Sequence, residues 1–281
     1  MATTRLRALF NHLNAGKTST VSTMSTTVHN TNEACCTRPP VVSNYTPKGT
    51  YTSYGGFKKV YVTGPANRGD TVLVCVYDVF GFKPQTQQGA DILAAQLNIQ
   101  ILMPDFFEDG AAWLLSQYPP KTDEQKANIQ KFFGGIASPP NNAAKLFAFG
   151  EALRKDGAKK VGCYGFCWGG KVIMLAAGRP NTPFDVISIV HPAMLSSGDA
   201  ENVNIPLGIF CSTEESADEF HKIVEIMSKK PFASKNDSRI FQSFHGFAAA
   251  RSNLDDPDNK AKYEDLYQTL VKYFKNNGIS A

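Results

Sequence analysis

The hexapeptide Gly165-Phe166-Cys167-Trp168-Gly169-Gly170 lies between a strand pattern and a helix pattern. Residues 160–164 before it have the mostly apolar pattern of a buried strand, and residues 169–177 have helical composition. A reactive side chain between glycines on a strand-to-helix turn is the pattern of a nucleophile elbow. Glycines are needed because Cβ atoms beside the nucleophile would collide with neighbouring backbone. We therefore predict that Cys167 is a nucleophile, whose thiolate is stabilised by the dipole of the following helix.

Strand and helix patterns alternate along the chain on both sides of this turn. Further predicted strands cover residues 58–62, 71–77, 99–103, 186–190, 207–211 and 239–244. Further predicted helices cover residues 86–97, 142–154, 217–228 and 260–276. Repeated strand–helix units predict an α/β protein with a mostly parallel central sheet and helices on both faces. Together with the elbow, this order of elements indicates an α/β-hydrolase fold.

The stretch from residue 110 to residue 141 is the least regular part of the chain and contains two Pro-Pro pairs. Because loops of an α/β protein collect at the ends of its strands, we predict that this stretch forms a partial lid above the sheet. No change in composition divides the chain. We therefore predict one domain over residues 33–281.

Residues 1–32 form a tail that contains no acidic residue and many Ser and Thr residues. Three interpretations are open. The tail is a disordered polar segment, an upstream extension of a protein that starts at Met24, or a mitochondrial transit peptide formed by residues 1–23. The first two interpretations predict a cytoplasmic protein, and the third predicts a mitochondrial one.

The composition argues against several classes of protein. The chain has 281 residues, of which 42% are hydrophobic and 19% are charged, as in ordinary globular enzymes. No segment approaches the ~18 consecutive apolar residues of a membrane-spanning helix, so we expect no membrane partner. The formal net charge is only +4, and no Lys/Arg run is interleaved with aromatic residues. We therefore expect no nucleic-acid partner.

The chain contains six cysteines, whose positions do not resemble a disulfide framework. Cys75, Cys163 and Cys211 lie in apolar strand patterns and are predicted to be buried thiols. Cys35 and Cys36 are adjacent, with no second pair at zinc-ligand spacing, so we predict no metal site. The role of this adjacent pair is left open, with redox sensing as one hypothesis.

Five histidines are present, and His245 is the predicted general base. It follows the last predicted strand and precedes the final helix, where the α/β-hydrolase order places its histidine. His191 ends a central strand and is predicted to be a pocket-wall or structural residue. Of the others, His12 and His29 lie in the tail, and His221 lies on a polar helix face.

The acid of a catalytic triad is expected in the loop that follows the strand at residues 207–211. This loop offers Glu214, Glu215 and Asp218. A carboxylate at this place would orient the imidazole and stabilise its charged form. The two glutamates stand nearer the strand end, but the sequence does not separate the candidates. Each is also a residue type that is favoured at the start of a helix.

Three separated motifs together resemble the dienelactone hydrolase family. They are Tyr77-Asp78-Val79-Phe80-Gly81, the hexapeptide around Cys167, and the triplet His245-Gly246-Phe247. The resemblance covers residues 50–277, and the segments 33–36 and 85–91 are similar to the fungal branch of the family. It implies a carboxylic ester hydrolase of the carboxymethylenebutenolidase type with an α/β-hydrolase fold.

The same resemblance implies roles for individual residues. Cys167, His245 and a carboxylate near Glu214 or Glu215 would form a catalytic triad. Asp78 would interact with the resting thiol and assist its activation when substrate binds.

The backbone N–H groups of Val79 and Trp168 would form the oxyanion hole, again by resemblance. Two features depart from the family pattern. The family's acid is normally Asp, whereas glutamates stand nearest the strand end here. The family also grips a substrate carboxylate with an arginine shortly after the Pro-Asp of the next strand, where this chain has the acidic segment Phe106-Phe107-Glu108-Asp109. Arg251 is the candidate replacement, and Arg251 and His191 are the predicted substrate-binding residues.

These predictions lead to two hypotheses for function. The first is a hydrolase that cleaves a small-molecule ester or lactone through a thioacyl-enzyme intermediate, needs no metal or organic cofactor, and acts as a monomer or homodimer. The alternative is a catalytically weak α/β-hydrolase homologue with a small-molecule-binding or regulatory role. The Glu-for-Asp difference and the missing arginine motivate this alternative.

Overall fold

The computed structural model describes residues 44–281, which contain one eight-stranded sheet. In chain order its strands are β1 (Thr50–Tyr54), β2 (Phe57–Thr63), β3 (Thr71–Val76), β4 (Gln100–Pro104), β5 (Lys160–Phe166), β6 (Val186–Val190), β7 (Leu207–Cys211) and β8 (Asp237–Ile240). Their order in space is β1-β2-β4-β3-β5-β6-β7-β8. From β4 to β8 the neighbouring strands pair in parallel, whereas β1 and β2 run antiparallel to their neighbours.

Seven α-helices occur in the described part of the chain. They are α1 (Pro84–Leu97), α2 (Asp123–Gly134), α3 (Pro139–Lys155), α4 (Trp168–Ala177), α5 (Ser197–Asn202), α6 (Ala217–Ser228) and α7 (Pro257–Asn276). In space, α1 packs against α7 and α3 packs against α4. Every residue of β6 and β7 is buried, so helices must cover the sheet on both faces. The predicted α/β-hydrolase architecture is confirmed.

Three helices begin two or three residues earlier than predicted, and each begins with proline. These prolines are Pro84 in α1, Pro139 in α3 and Pro257 in α7. Proline fits the first turn of a helix because its φ angle is already helical and its missing N–H would have had no partner there. The prolines therefore start these helices instead of ending the preceding loops.

The last strand is shorter than the predicted segment 239–244. Strand β8 ends at Ile240, and the chain then turns, with the N–H of Phe241 donating to the carbonyl of Cys211. Phe241 is buried against Phe210, at a ring-centroid distance of 6.4 Å. Phe241 is apolar because it packs in the core and not because it belongs to the strand. The sequence pattern therefore predicted a strand that continues past its real end.

The stretch predicted to be least regular contains the helix α2. Its N-terminus carries a capping box, in which Thr122 accepts from the N–H of Gln125 while the Gln125 side chain accepts from the N–H of Thr122. This reciprocal pair satisfies two of the N–H groups that a helix end leaves without partners. The prediction of an irregular stretch was therefore wrong for residues 123–134.

The predicted tail (residues 1–32) and the pair Cys35-Cys36 lie outside the described residues. Among the helices of residues 44–281, none combines the length and the apolar character that crossing a bilayer requires.

Candidate active site

Cys167 occupies a sharp turn between β5, which ends at Phe166, and α4, which begins at Trp168. Its backbone has φ 52° and ψ −117°, a conformation that is strained for a residue with a side chain. A Cβ atom on Gly165 would lie 2.6 Å from the carbonyl oxygen of Val76, and one on Gly169 would lie 2.4 Å from the same oxygen. Only glycine fits at these two positions, so the elbow predicted from the sequence has its physical explanation.

The turn is tied to the neighbouring strand through its own backbone. The N–H of Cys167 donates to the carbonyl of Val190, at 3.1 Å, and its carbonyl accepts from the N–H of Ala193, at 2.9 Å. The side chain is 7% exposed, at the carboxyl edge of the parallel strands. It also faces the first turn of α4, whose N–H groups favour negative charge.

His245 lies in the loop after β8 and is held by both glutamates, each in a different way. The Nδ1 atom of its ring lies 2.7 Å from Oε1 of Glu215, and its backbone N–H donates to Oε2 of Glu214, at 2.8 Å. The structure therefore separates two candidates that the sequence left equal. The third, Asp218, lies in the first turn of α6.

The Glu215 carboxylate is buried and is itself held in place. The Ser212 hydroxyl donates to Oε1, at 3.0 Å, and the Ser212 backbone N–H donates to Oε2. A carboxylate with its oxygens fixed in this way can hold the imidazole of His245 in one orientation. The glutamate side chain thus reaches the histidine, although the expected residue at this place was the shorter aspartate.

Asp78 follows β3 and joins two loops of the site. Its Oδ1 accepts from the N–H of Phe80, at 3.0 Å, and its Oδ2 accepts from the N–H of Ala250, at 3.2 Å. Burial raises the pKa of Asp78 to about 6, while these two hydrogen bonds and the charge of Arg251 act in the opposite direction. The carboxyl group therefore changes charge close to neutral pH.

Arg251 is buried and packs against the histidine loop. Its guanidinium donates to the carbonyl of His245 and lies 5.7 Å from the centroid of the Tyr118 ring. A Cβ atom on Gly246 would lie 2.6 Å from its Nε atom. The cation thus helps to shape the loop that carries His245.

His191 lies behind His245 and is 0% exposed. Its ring packs 5.1 Å from the His245 ring and 5.6 Å and 5.7 Å from the rings of Phe166 and Phe247. Within the described residues neither ring nitrogen has a hydrogen-bond partner. Burial holds the pKa of His191 well below its usual range, and His245 and Arg251 lower it further. His191 does not line the pocket, so of its two predicted roles the structure favours the structural one over contact with substrate.

A narrow pocket, which opens to solvent, joins the groups described above. Its polar side comprises Asp78, Cys167, His245, Gly246 and Arg251. Its apolar side comprises Val79, Phe80, Tyr118, Ile129 and Phe133. The structure therefore brings Cys167, His245, Asp78, Val79 and Arg251 to one cavity, and their roles in catalysis or binding stay predictions.

Three lining residues were not predicted from the sequence. Tyr118, Ile129 and Phe133 come from residues 110–137, which we call the cover. Ile129 and Phe133 are four residues apart on α2 and so share one face of that helix. The capping box at Thr122 is the sequence signal that would have revealed the helix and hence this apolar face.

Trp168 stands next to the nucleophile and anchors the start of α4. Its indole Nε1 donates to the carbonyl of Ala137, at 2.7 Å, and its ring packs 4.7 Å from the ring of Phe107. Its backbone N–H is thereby held at the N-terminus of the helix. Val79, which lines the pocket from the loop after β3, is the second predicted donor.

Residues 44–281 contain no group of three or more His, Cys, Asp or Glu side chains arranged to hold a metal ion. The polar side of the pocket combines the thiol of Cys167, the imidazole of His245 and the carboxyl group of Asp78.

Comparison with known proteins gives a consistent family. The model of the dienelactone hydrolase family matches residues 59–278. An uncharacterized AIM2 family protein of Schizosaccharomyces pombe is 35% identical over 239 residues, covering 84% of this chain and 94% of the relative. A carboxymethylenebutenolidase homolog of Mus musculus is 24% identical over 226 residues, covering 76% of this chain and 86% of the relative. The dienelactone hydrolase of Anabaena variabilis shares the fold, with a TM-score of 0.55 at 15% identity over 83% of this chain and 98% of that chain.

Proposed function

This chain belongs to the dienelactone hydrolase family, and we propose that it hydrolyses an ester or lactone bond with Cys167 as the nucleophile. The observation that carries the proposal is the 2.7 Å contact between Nδ1 of His245 and Oε1 of Glu215, because it holds a histidine that lines the same pocket as the elbow cysteine. This pairing gives the imidazole the orientation and charge support that a general base needs.

The proposed reaction has two halves. His245 takes the proton of the Cys167 thiol, and the sulfur attacks the carbonyl carbon of the substrate. The carbon–oxygen bond to the leaving group then breaks, His245 returns the proton to the leaving oxygen, and a thioester remains on Cys167. In the second half His245 takes a proton from water, the hydroxide attacks the thioester, and the acid product leaves as the thiol regains its proton.

Two further groups have proposed roles in this reaction. The backbone N–H groups of Val79 and Trp168 stabilise the negative oxygen of each tetrahedral intermediate, where one such donor typically contributes about a hundredfold in rate. Asp78 interacts with the resting thiol and assists its activation when substrate binds. Its place in the pocket wall beside Cys167 supports this role.

A panel of activated esters and enol lactones tests the proposal. Turnover by the purified protein should fall to background in Cys167→Ala. The matched control is Cys163→Ala, which removes a fully buried thiol from β5, four residues before the nucleophile, and should retain activity. Equal turnover by Cys167→Ala and the unmodified protein would contradict the proposal. Binding of these compounds without Cys167-dependent turnover would instead favour a small-molecule-binding homologue.

A further inference from the structure

The apolar side of the pocket faces the reacting groups without any charge of its own. Phe80 comes from the loop after β3, and Ile129 and Phe133 come from α2 of the cover. All three side chains are buried. An apolar group of the substrate would displace water from these walls, which is favourable. A charged group placed there would lose its hydration without gaining a partner.

The polar side offers little to a substrate carboxylate. Among the described residues that line this pocket, Arg251 carries the one cationic side chain. Its guanidinium donates to the carbonyl of His245 and stacks over Tyr118. It also faces Asp78, whose negative charge offsets it. The guanidinium of Arg251 therefore already interacts with groups of the protein and offers little charge to a substrate.

Asp78 removes the net positive charge from the same wall. It is buried, its oxygens accept from the N–H groups of Phe80 and Ala250, and its charge is paired with that of Arg251. A substrate carboxylate brought into the pocket would lose its hydration and would meet no net positive charge in return. Discrimination between ligands can depend on such an unpaired buried charge as much as on attraction.

The segment after Pro104 supplies packing where a cation would be needed. Phe106 and Phe107 are buried and pack against the ring of Trp168, at 5.8 Å and 4.7 Å. Glu108, which follows them, accepts from the N–H of Lys58. This segment therefore packs against the start of α4 and presents no positive charge to the pocket.

From these contacts we infer that the substrate is an ester or lactone whose acyl group is uncharged and apolar, seated against Phe80, Ile129 and Phe133. Acyl groups that carry a carboxylate are rejected. The inference rests on the proposed function, because it specifies the acyl group that is transferred to the sulfur of Cys167. The bonds formed and broken are those of the reaction described above.

Two esters that share a leaving group test the inference. In 4-nitrophenyl pentanoate the acyl chain ends in an ethyl group, and in 4-nitrophenyl hydrogen succinate a carboxylate takes its place. At pH 7.5 we expect kcat/KM to be about 100-fold higher for the pentanoate. The carboxylate of the succinate attacks its own ester and releases nitrophenol without enzyme, so the rate measured with Cys167→Ala is subtracted for each ester. Equal or faster turnover of the succinate would overturn the inference.

Variants of the cover test whether its apolar residues cause the preference for the pentanoate over the succinate. Phe133→Lys places a cation on the apolar side and should narrow the ratio of the two kcat/KM values at least tenfold. Ile129→Lys makes the same change one helical turn away, in case Phe133→Lys does not fold. The matched control is Gln130→Lys, which adds the same charge at an exposed position of α2 and should leave the ratio unchanged. An unchanged ratio in both folded pocket variants would contradict the assigned seat of the acyl group.

Arg251→Met tests whether Arg251 holds the histidine loop or binds a carboxylate of the substrate. If Arg251 serves the histidine loop, turnover of both esters should fall by the same factor. A selective loss of the succinate activity would show that Arg251 binds a substrate carboxylate, and the inference would be wrong.

Binding measurements separate this inference from the proposed reaction. The 4-nitroanilides of pentanoic acid and of succinic acid resist hydrolysis, and calorimetry with Cys167→Ala measures their affinities without any turnover. Tighter binding of the pentanoic anilide supports the apolar seat even if neither ester is hydrolysed, in which case the proposed reaction alone fails. Equal affinities, or tighter binding of the succinic anilide, would overturn the inference.

Discussion

The two sides of the pocket are built by different means. The reaction side lies at the ends of parallel strands. There Cys167 is flanked by Gly165 and Gly169, whose surroundings leave no room for a Cβ atom, and its backbone is hydrogen-bonded to the end of β6. The apolar side is formed largely by the cover, whose residues meet the pocket through one face of α2. The first arrangement has little room to adjust, because backbone atoms are the neighbours there. The second arrangement consists of side chains that can repack.

This contrast indicates how the fold divides its tasks. Catalysis requires reacting atoms and hydrogen-bond donors at fixed distances, and strand ends supply that rigidity. Recognition of an acyl group requires shape and polarity, and a helix above the sheet can supply these with fewer constraints. Substitutions on the reaction side should therefore change kcat or folding, and those on the cover should change KM.

The largest effect is expected at the acid of the reaction side. Glu215→Gln should lower kcat on the order of 10³- to 10⁴-fold, because an amide favours the imidazole tautomer whose second nitrogen cannot accept the Cys167 proton. Glu214→Gln is the matched control, since its amide oxygen can still accept from the N–H of His245. We expect less than a tenfold loss in that control, measured by steady-state kinetics. Equal losses in the two variants would remove the distinction between the glutamates.

The next effect concerns the stability of each side. Gly169→Ala should destabilise the protein by about 3 kcal/mol or more, because the new Cβ atom would meet the backbone oxygens of Val76 and Tyr77 at 2.4 Å and 2.6 Å. Gly134→Ala, at the end of α2, meets no atom within 4 Å and should be neutral or stabilising by up to about 1 kcal/mol. Urea unfolding measures both changes. Similar values for the two variants would mean that the elbow is less rigid than its geometry implies.

A smaller effect should appear in the pH dependence of stability. Because the pKa of Asp78 is raised to about 6 in the folded protein, the folded state holds this proton more tightly than the unfolded chain. The contribution of Asp78 to stability is therefore present below about pH 4 and is lost as pH rises to about 6 and above. It amounts to at most about 3 kcal/mol. Asp78→Asn should lack this slope, so its stability relative to the unmodified protein should improve between pH 4 and pH 7.

Denaturant unfolding at several pH values measures that slope. The amide replaces one of two acceptor oxygens, so the absolute stability of Asp78→Asn also reflects a weakened bond to the N–H of Phe80 or Ala250. The difference in slope is the informative quantity. Parallel pH profiles for the two proteins would contradict the raised pKa.

The smallest effect is expected on the cover. Ile129→Val removes one methylene group from the apolar wall and should raise KM for an apolar ester by up to about tenfold. The reacting groups are untouched, so kcat should change by less than a factor of two or three. A fall in kcat with unchanged KM would show that the cover also positions the reacting groups.

The sequence predicted the reaction side far better than the cover. Residues such as Cys167 and His245 belong to local motifs whose glycines and flanking elements reveal the backbone geometry. The partner of His245 depended on which of two adjacent glutamates points inward, which is a property of side-chain packing that no local pattern contains. The two predicted roles of His191 were left open for a related reason, since the sequence places it at the end of a strand but does not show that its ring is buried in the core.

The helix of the cover was not predicted, because this stretch contains several prolines and lacks a strong apolar periodicity. Its helix depends on the capping box at Thr122, and its contribution to the pocket depends on how that helix packs above the strands. Contacts between distant segments of this kind are determined by tertiary packing. They could not be read from the cover's own sequence.

Trapping of the acyl-enzyme tests the role of Cys167 most directly. The protein would be mixed with 4-nitrophenyl pentanoate, quenched in acid within the first turnovers, and digested for mass spectrometry. We predict a burst of nitrophenol and a pentanoyl adduct on the peptide that contains Cys167, both absent in Cys167→Ala. Steady hydrolysis without an adduct, or an adduct on another residue, would contradict nucleophilic catalysis by this cysteine.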